Sequence, residues 1–202
     1  MDTSWRELLP TSLDVCGVFY EIRSDYRAAI DICVALSDAD LSSQDKAFTA
    51  LHILYPSFIG HVVERESGEE AVFMPTEHYD EAIKQCYWFI NGGDTQSDGP
   101  QIKLIDWEQD FKHIVAPINR VTGTEVRAVE YMHWWTFIAA YQEIGDCTFA
   151  QIVRVRDRKA KGKPLDKSDA EWYRKNRHLV DFKTQYTQND DAVLSAWTGR
   201  KG

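Results

Sequence analysis

His133-Trp134-Trp135-Thr136-Phe137, read together with the upstream stretch Asp106-Trp107-Glu108-Gln109-Asp110, decides how this chain folds. Each stretch sets large aromatics in a frame that a helix accepts. Neither carries a nucleophile, a phosphate-cradling glycine loop or a pair of metal ligands. Aromatic-dense helix with no chemistry around it points to packing and to partner surfaces. That reading favours a protein-handling module over an enzyme.

Asp106 opens a helix with Gln109 three positions on, a capping-box spacing. Its apolar stripe is Trp107, Phe111, Ile114, Val115 and Ile118, and Pro117 is expected to bend or break it near its third turn. Thr122-Gly123 is a turn, and Thr124 can cap the next helix. That helix reads Val126, Val129, His133, Phe137, Ala140 and Ile144 along one side. Tyr131, Trp134, Trp135, Ile138 and Tyr141 line the other. Apolar groups most of the way round mean burial on more than one side, so this is the expected central helix of the second half, closed by Gly145. Residues 148–161 form a basic helix with Phe149, Ile152, Val153 and Val155 as its apolar side. Gly162-Lys163-Pro164 breaks it, and Asp166 or Ser168 starts a last helix through Trp172, Tyr173, Leu179 and Val180.

Toward the N-terminus, residues 13–22 alternate as a short hairpin turning near Gly17, the one convincing strand signal. Asp25 can cap a helix carrying Tyr26, Ala29, Cys33 and Leu36 at three- and four-residue steps. Ser42-Ser43 opens a second, with Ala47, Ala50, Leu51 and Leu54 on one face and Pro56 as its stop. Residues 57–75 read as irregular. Thr76 can cap a third helix using Tyr79, Ile83, Cys86, Tyr87 and Ile90, ended by Gly92-Gly93. The predicted architecture is mainly α, a helical bundle of about six to seven helices with a short N-terminal β-hairpin. Its expected divisions are residues 1–91, a polar glycine-rich linker at 92–103, a second helical half at 104–183 and a flexible tail at 184–202, in which Trp197 stands apart as a docking aromatic.

The composition is that of a globular chain: 44% hydrophobic residues with 12% aromatic exclude wholesale disorder. The net charge of −9 is unevenly spread. Residues 150–183 hold eleven Lys/Arg against five Asp/Glu, a local +6, which leaves −15 elsewhere. An acidic body repels nucleic acid and anionic membrane, while a basic segment on it suits self-association, a mixed-charge partner, or simply a solvated helix face. Cys16, Cys33, Cys86 and Cys147 are widely spaced without C-x-x-C, and Cys33 and Cys86 sit among apolar residues as small core side chains. No signal segment and no apolar run of ~20 residues is present, so the expected setting is cytosolic with reduced thiols.

Candidate chemistry is sparse. The histidines at 52, 61, 78, 113, 133 and 178 include no pair three or four apart, and H-E-x-x-H is absent, so no metal site is expected. His113 and His133 could meet across packed helices, but the expectation for each is a partly buried, hydrogen-bonded side chain. Asp106 and Asp110 share a helix face, yet first-turn acids are explained by capping and the helix dipole. No G-x-S-x-G, phosphate loop or dinucleotide fingerprint appears, so neither a catalytic residue nor a cofactor is expected. Arg154, Arg156, Arg158, Lys159, Lys161 and Lys163 could track phosphates, but they wrap more than one face and no aromatics interleave for base stacking. Two adjacent Trp on a helix point about 100° apart, so one of Trp134 and Trp135 is free to face a partner.

These segments resemble the bacteriophage gene-product-fifteen family, helical tail-assembly-chaperone-like proteins of long-tailed phages of Gram-positive hosts. The resemblance runs over residues 9–182: Leu9-Pro10, Tyr20-Glu21-Ile22, Asp25-Tyr26-Arg27, Leu54-Tyr55-Pro56, Trp88-Phe89-Ile90, the 106–110 stretch, Ile152-Val153-Arg154 with Arg156, and Glu171-Trp172-Tyr173-Arg174. His-Trp-Trp-x-Phe is its specific element. The loop at 57–75 looks longer than the family's, and the tail past 184 lies outside it. The resemblance implies a non-enzymatic helper in the host cytoplasm, absent from the mature virion. It would bind the long helical tape-measure protein, with the tail-tube protein as a second candidate partner. The expected contact residues are Trp134, Trp135, Arg154, Arg156, Arg158 and Lys159. A structural tail component and a small helical nucleic-acid-binding or regulatory protein are the alternatives.

Overall fold

The computed structural model describes residues 9–58, 61–65, 68–94 and 103–183. Among these the architecture is mainly α with an N-terminal hairpin, as the sequence predicts. Strands β1 (Ser12–Val15) and β2 (Val18–Glu21) pair antiparallel, with Val15 opposite Val18. Asp14 accepts the Gly17 N–H at 2.8 Å, and Cys16 and Gly17 both take positive φ in the turn between them. The inward residues Leu13, Val15 and Tyr20 are buried.

Helix α1 (Tyr26–Ser37) is capped by Asp25, and α2 (Ser43–Leu54) by Ser42, whose hydroxyl accepts the Asp45 N–H. The buried face of α1 is Tyr26, Ala29, Ile32 and Ala35, so Cys33 and Leu36 lie at its margin. Pro56 ends α2 in a single 3-10 turn, Pro56–Phe58. Residues 57–75 are not irregular: β3 (His61–Arg65) and β4 (Gly68–Val72) form a second antiparallel hairpin, with His61 opposite Val72. Short strands dense in Glu and Arg lack the clean alternation that marks a strand in sequence. Thr76 starts a 3-10 turn, Thr76–His78, before α3 (Tyr79–Ile90).

In the second half, α4 (Trp107–Thr122) runs through Pro117 unbroken. The proline ring is buried among neighbouring elements, which hold the helix despite the missing N–H. The long helix expected from about residue 124 is not formed. Val126–Ala128 is a 3-10 turn capped by Glu125, residues up to 133 are extended, and α5 (Trp134–Gln142) begins only at Trp134. The extended stretch has another partner. Tyr26 N–H donates to Met132 C=O, Trp134 N–H to Ser24 C=O, and Asp25 bridges His133. Helix α6 (Thr148–Ala160) follows, and the last predicted helix divides at Asn176 into α7 (Lys167–Lys175), capped by Asp166, and α8 (Arg177–Val180). Eight α-helices are thus present among the described residues, against the six to seven expected.

One core cluster draws on both sequence halves, from Leu13 to Phe149. Tyr26 is its hub. Its ring stacks on Phe137 at 4.7 Å and lies 6.4 Å from Phe111. Stacked aromatic pairs of this kind contribute about 0.5–1.5 kcal/mol beyond burial. Of the proposed linker at 92–103, residues 95–102 lie outside the described residues, as does the tail from 184.

Gly93, at φ 91°, ends α3 so close to Trp135 that an added Cβ would stand 3.0 Å from its Cη2; at Gly17, φ 82°, the same Cβ meets open space. Both substitutions to Ala carry a left-handed penalty of about 1–2 kcal/mol. Gly93→Ala is expected to lose more than Gly17→Ala in urea unfolding, because Trp135 must also move. Equal losses would contradict the close approach.

Candidate partner-binding surfaces

The aromatic motif is built inward. His133 caps α5: its Nδ1 accepts the Trp135 N–H at 3.0 Å, while Nε2 lies 3.0 Å from Pro10 C=O. Nδ1 can accept only if it is unprotonated, so Nε2 carries the proton and donates to Pro10. Burial pushes the His133 pKa below its ordinary value, and the bond to Pro10 opposes that shift. Trp134 is buried, and its indole N–H donates to Ile90 C=O at 2.9 Å. Trp135 is half-buried, and its indole N–H donates to Phe89 C=O at 2.9 Å. Its ring packs edge-on against Trp88. The Trp134 indole therefore supplies a donor to the Ile90 carbonyl at the end of α3, and the Trp135 indole adds a second donor to the Phe89 carbonyl, which also accepts the Gly92 N–H. Trp134 is not a surface anchor.

The basic helix is likewise spent within the chain. Arg156 is buried, and all five of its N–H groups are engaged. Two go to the Asp110 carboxylate and one each to the carbonyls of Leu104, Leu179 and Val180. Phe182 lies under the guanidinium at 4.2 Å. Arg156 is therefore not exposed for a partner. Arg154 pairs with buried Asp169, Arg158 donates to Pro164 C=O, Lys159 pairs with Asp181 and Tyr173 OH, and Lys161 pairs with Asp157. Arg154 and Lys159 keep a solvent-facing side. The acids Asp157, Asp169 and Asp181 that hold these cations are already counted in the local +6, and Asp110 is the one partner from outside the segment.

Asp110 is the buried acid that sequence reasoning explained too simply. Asp106 caps α4 through the Gln109 N–H, as the spacing predicts. The reciprocal bond to the Asp106 N–H comes from Asp110, not Gln109. Gln109 instead donates to the carbonyls of Leu179 and Asp181. No signal within α4 alone reveals either partner.

His113 and His133 do not form a pair. The His113 Nε2 is buried without a hydrogen-bond partner, contrary to the expectation for it. Burial lowers its pKa, with Lys112 adding to the effect. All four cysteines are free thiols; burial pushes Cys33 up to about 12, and Cys147 Sγ caps α6 by accepting the Ala150 N–H. Among the described residues no three His, Cys, Asp or Glu gather as metal ligands, and no helix is long and apolar enough to cross a membrane.

Four aromatic side chains are among the large apolar groups that face solvent, alongside Leu9, Val18 and Val121. Phe19 is 74% exposed, Phe73 59%, Tyr131 55% and Phe48 43%. Tyr131 rims an open groove of about 680 Å³, with Arg23, Arg27, Asp31 and Ile53 among its walls. The groove's cations are already used. Arg23 donates to the carbonyls of His52 and Ile53, and Arg27 to Asp25 and Val129 C=O. The arrangement is a helical scaffold in which much of the basic helix and the groove's arginines are engaged internally, with large apolar side chains left outside.

The family model described as Bacteriophage Gp15 protein matches residues 5–182. The chain therefore belongs to that bacteriophage protein family. No curated protein and no solved structure matches it.

Removing the Arg156 head group by Arg156→Met strands a buried carboxylate and is expected to cost about 3–5 kcal/mol in denaturant unfolding. Adding Asp110→Leu should recover part of that loss. A single variant as stable as wild type would mean the pair is not what holds α8 down. For His133, the unfolded state takes a proton first as pH falls through about 6.5, so stability is full above that value and declines below it until the lower folded value is passed. His133→Asn keeps a capping acceptor without titrating. It should shrink the stability difference between about pH 7.5 and about pH 5.5, leaving the His113 contribution in place.

Proposed function

We propose that this protein is a tail assembly chaperone, a non-enzymatic helper that binds the tape-measure protein during phage tail morphogenesis. The reading rests on membership of the Gp15 family over residues 5–182. The geometry agrees with it in kind. Exposed aromatic side chains suit protein contact.

The physics of the task favours such a surface. A long amphipathic rod exposes apolar stripes and aggregates unless they are covered. Small helical modules can cover them, helix against groove, with modest affinity each and avidity from many copies. Modest affinity lets tube subunits displace them. An acidic body keeps unbound copies apart. The contacts are assigned to exposed aromatics, with Arg154 and Lys159 as peripheral cations, rather than to buried Trp134 and Arg156. The proposed setting is the host cytoplasm, with the protein absent from the finished particle.

Co-expression with the tape-measure protein of the same phage should raise that protein's soluble yield and let the two co-purify. Absence of both effects would rule the role out. Mass spectrometry of purified particles should find no stoichiometric amount of this chain; finding it would assign a structural tail role instead.

A further inference from the structure

We propose that the aromatic patch of Phe48, Phe58 and Tyr79, with Phe73 beside it, is the docking surface for a basic amphipathic helix of a partner protein. Phe48 lies 5.7 Å from Phe58 and 5.9 Å from Tyr79, and Phe58 lies 4.9 Å from Tyr79, all ring to ring. Three elements meet there: α2, the 3-10 turn after it, and the start of α3. Phe73 joins them because the next residue, Met74, donates its N–H to Ser57 C=O, beside Phe58. Phe48 and Phe73 are exposed while Met74 and Ser57 beneath are buried. The patch is therefore a platform over solid core, not a loose loop.

Charge selects the occupant. The exposed ionised residues of segments 42–58 and 73–80 are Asp45, Glu77 and Asp80, all acidic. Asp45 precedes Phe48 by nearly one turn of α2, and Glu77 and Asp80 flank Tyr79. Lys46 is buried, and Lys84 nearby is paired with Glu81. In the hairpin between these segments the register sets Glu64 opposite Glu69, with Arg65 as the strands' one Lys or Arg. An apolar centre with an acidic border fits a helix whose apolar stripe is edged by Lys and Arg. Such complementarity repels nucleic acid and disfavours acidic helices.

The inference deepens the chaperone reading and rests on it for the partner's identity, but its test does not. Two synthetic helices of roughly 18 residues, about five turns, serve as probes: one of Leu and Lys, the other of Leu and Glu in the same pattern. The full chain should bind the Leu–Lys helix saturably and ignore the Leu–Glu helix. Phe48→Ser and Phe73→Ser, each tested separately and melting like wild type, should each weaken binding about tenfold or more. Unchanged affinity in both variants, or equal binding of both probes, overturns the proposal. Sedimentation that shows wild type as a dimer dispersed by Phe48→Ser would give the patch to a second copy and overturn it too. In co-expression, Phe48→Ser should lose tape-measure rescue where wild type gives it; rescue by both removes the patch from that contact. Wild type that binds the Leu–Lys helix through the patch yet rescues nothing would strike the chaperone role alone.

Discussion

The last carbonyls of a helix have no partner within it, and in this protein distant side chains supply the donors. Arg23 closes the end of α2 through His52 and Ile53. Trp134 and Trp135 close α3 through Ile90 and Phe89. Arg120 reaches Ile144 C=O just beyond α5. Arg156 and Gln109 share the carbonyls at the end of α8. A neutral bond such as those of the indoles and Gln109 contributes about 0.5–1.5 kcal/mol, one from a guanidinium about 1.5–3 kcal/mol, and an orphaned buried carbonyl costs about 1–3 kcal/mol. That cost makes each donor hard to replace. Because the donors come from other elements, each closed helix end also fixes how two elements pack.

That constraint explains why the chain interrupts what looks like its best helix. Residues 126–133 could propagate into α5 on periodicity alone. Instead the extended backbone bonds to Ser24, Asp25 and Tyr26, and its exit sets His133 as the cap. Starting α5 at Trp134 points both indoles at the end of α3 and brings Phe137 onto Tyr26. A helix begun earlier would keep its own hydrogen bonds and forfeit these contacts, the indole bond to the Ile90 carbonyl among them.

Legibility in the sequence follows the range of the interaction. Asp25, Ser42, Asp106 and Asp166 were readable as caps because a capping side chain bonds a backbone two or three residues away. The hairpin at Gly17 was readable for the same reason. The trans-acting donors were not: Gln109 and Leu179 are 70 residues apart, Trp135 and Phe89 46 apart. A run of Lys and Arg likewise reads as a surface stripe until the acids that neutralise it are placed. Arg156 and Asp110 differ from an exposed pair only in what surrounds them. The exposed aromatics were hidden for the opposite reason. Phe48 follows Ala47 of the predicted stripe, and nothing in its neighbours says that it points outward.

Consequences follow for any assignment of contacts. The tryptophans that make the family resemblance specific are structural here, so a variant at Trp134 that loses partner binding has first lost the end of α3. Arg156 behaves in the same way, since its removal frees α8 before it changes any surface. Phe48 and Phe73 differ because solvent already reaches them, so truncating either removes less buried area than truncating Trp134 does. Binding defects there that leave the unfolding transition unmoved would report on contact, whereas defects at the motif report on the scaffold. The most distinctive residues of this chain and the residues best placed to meet a partner are different sets.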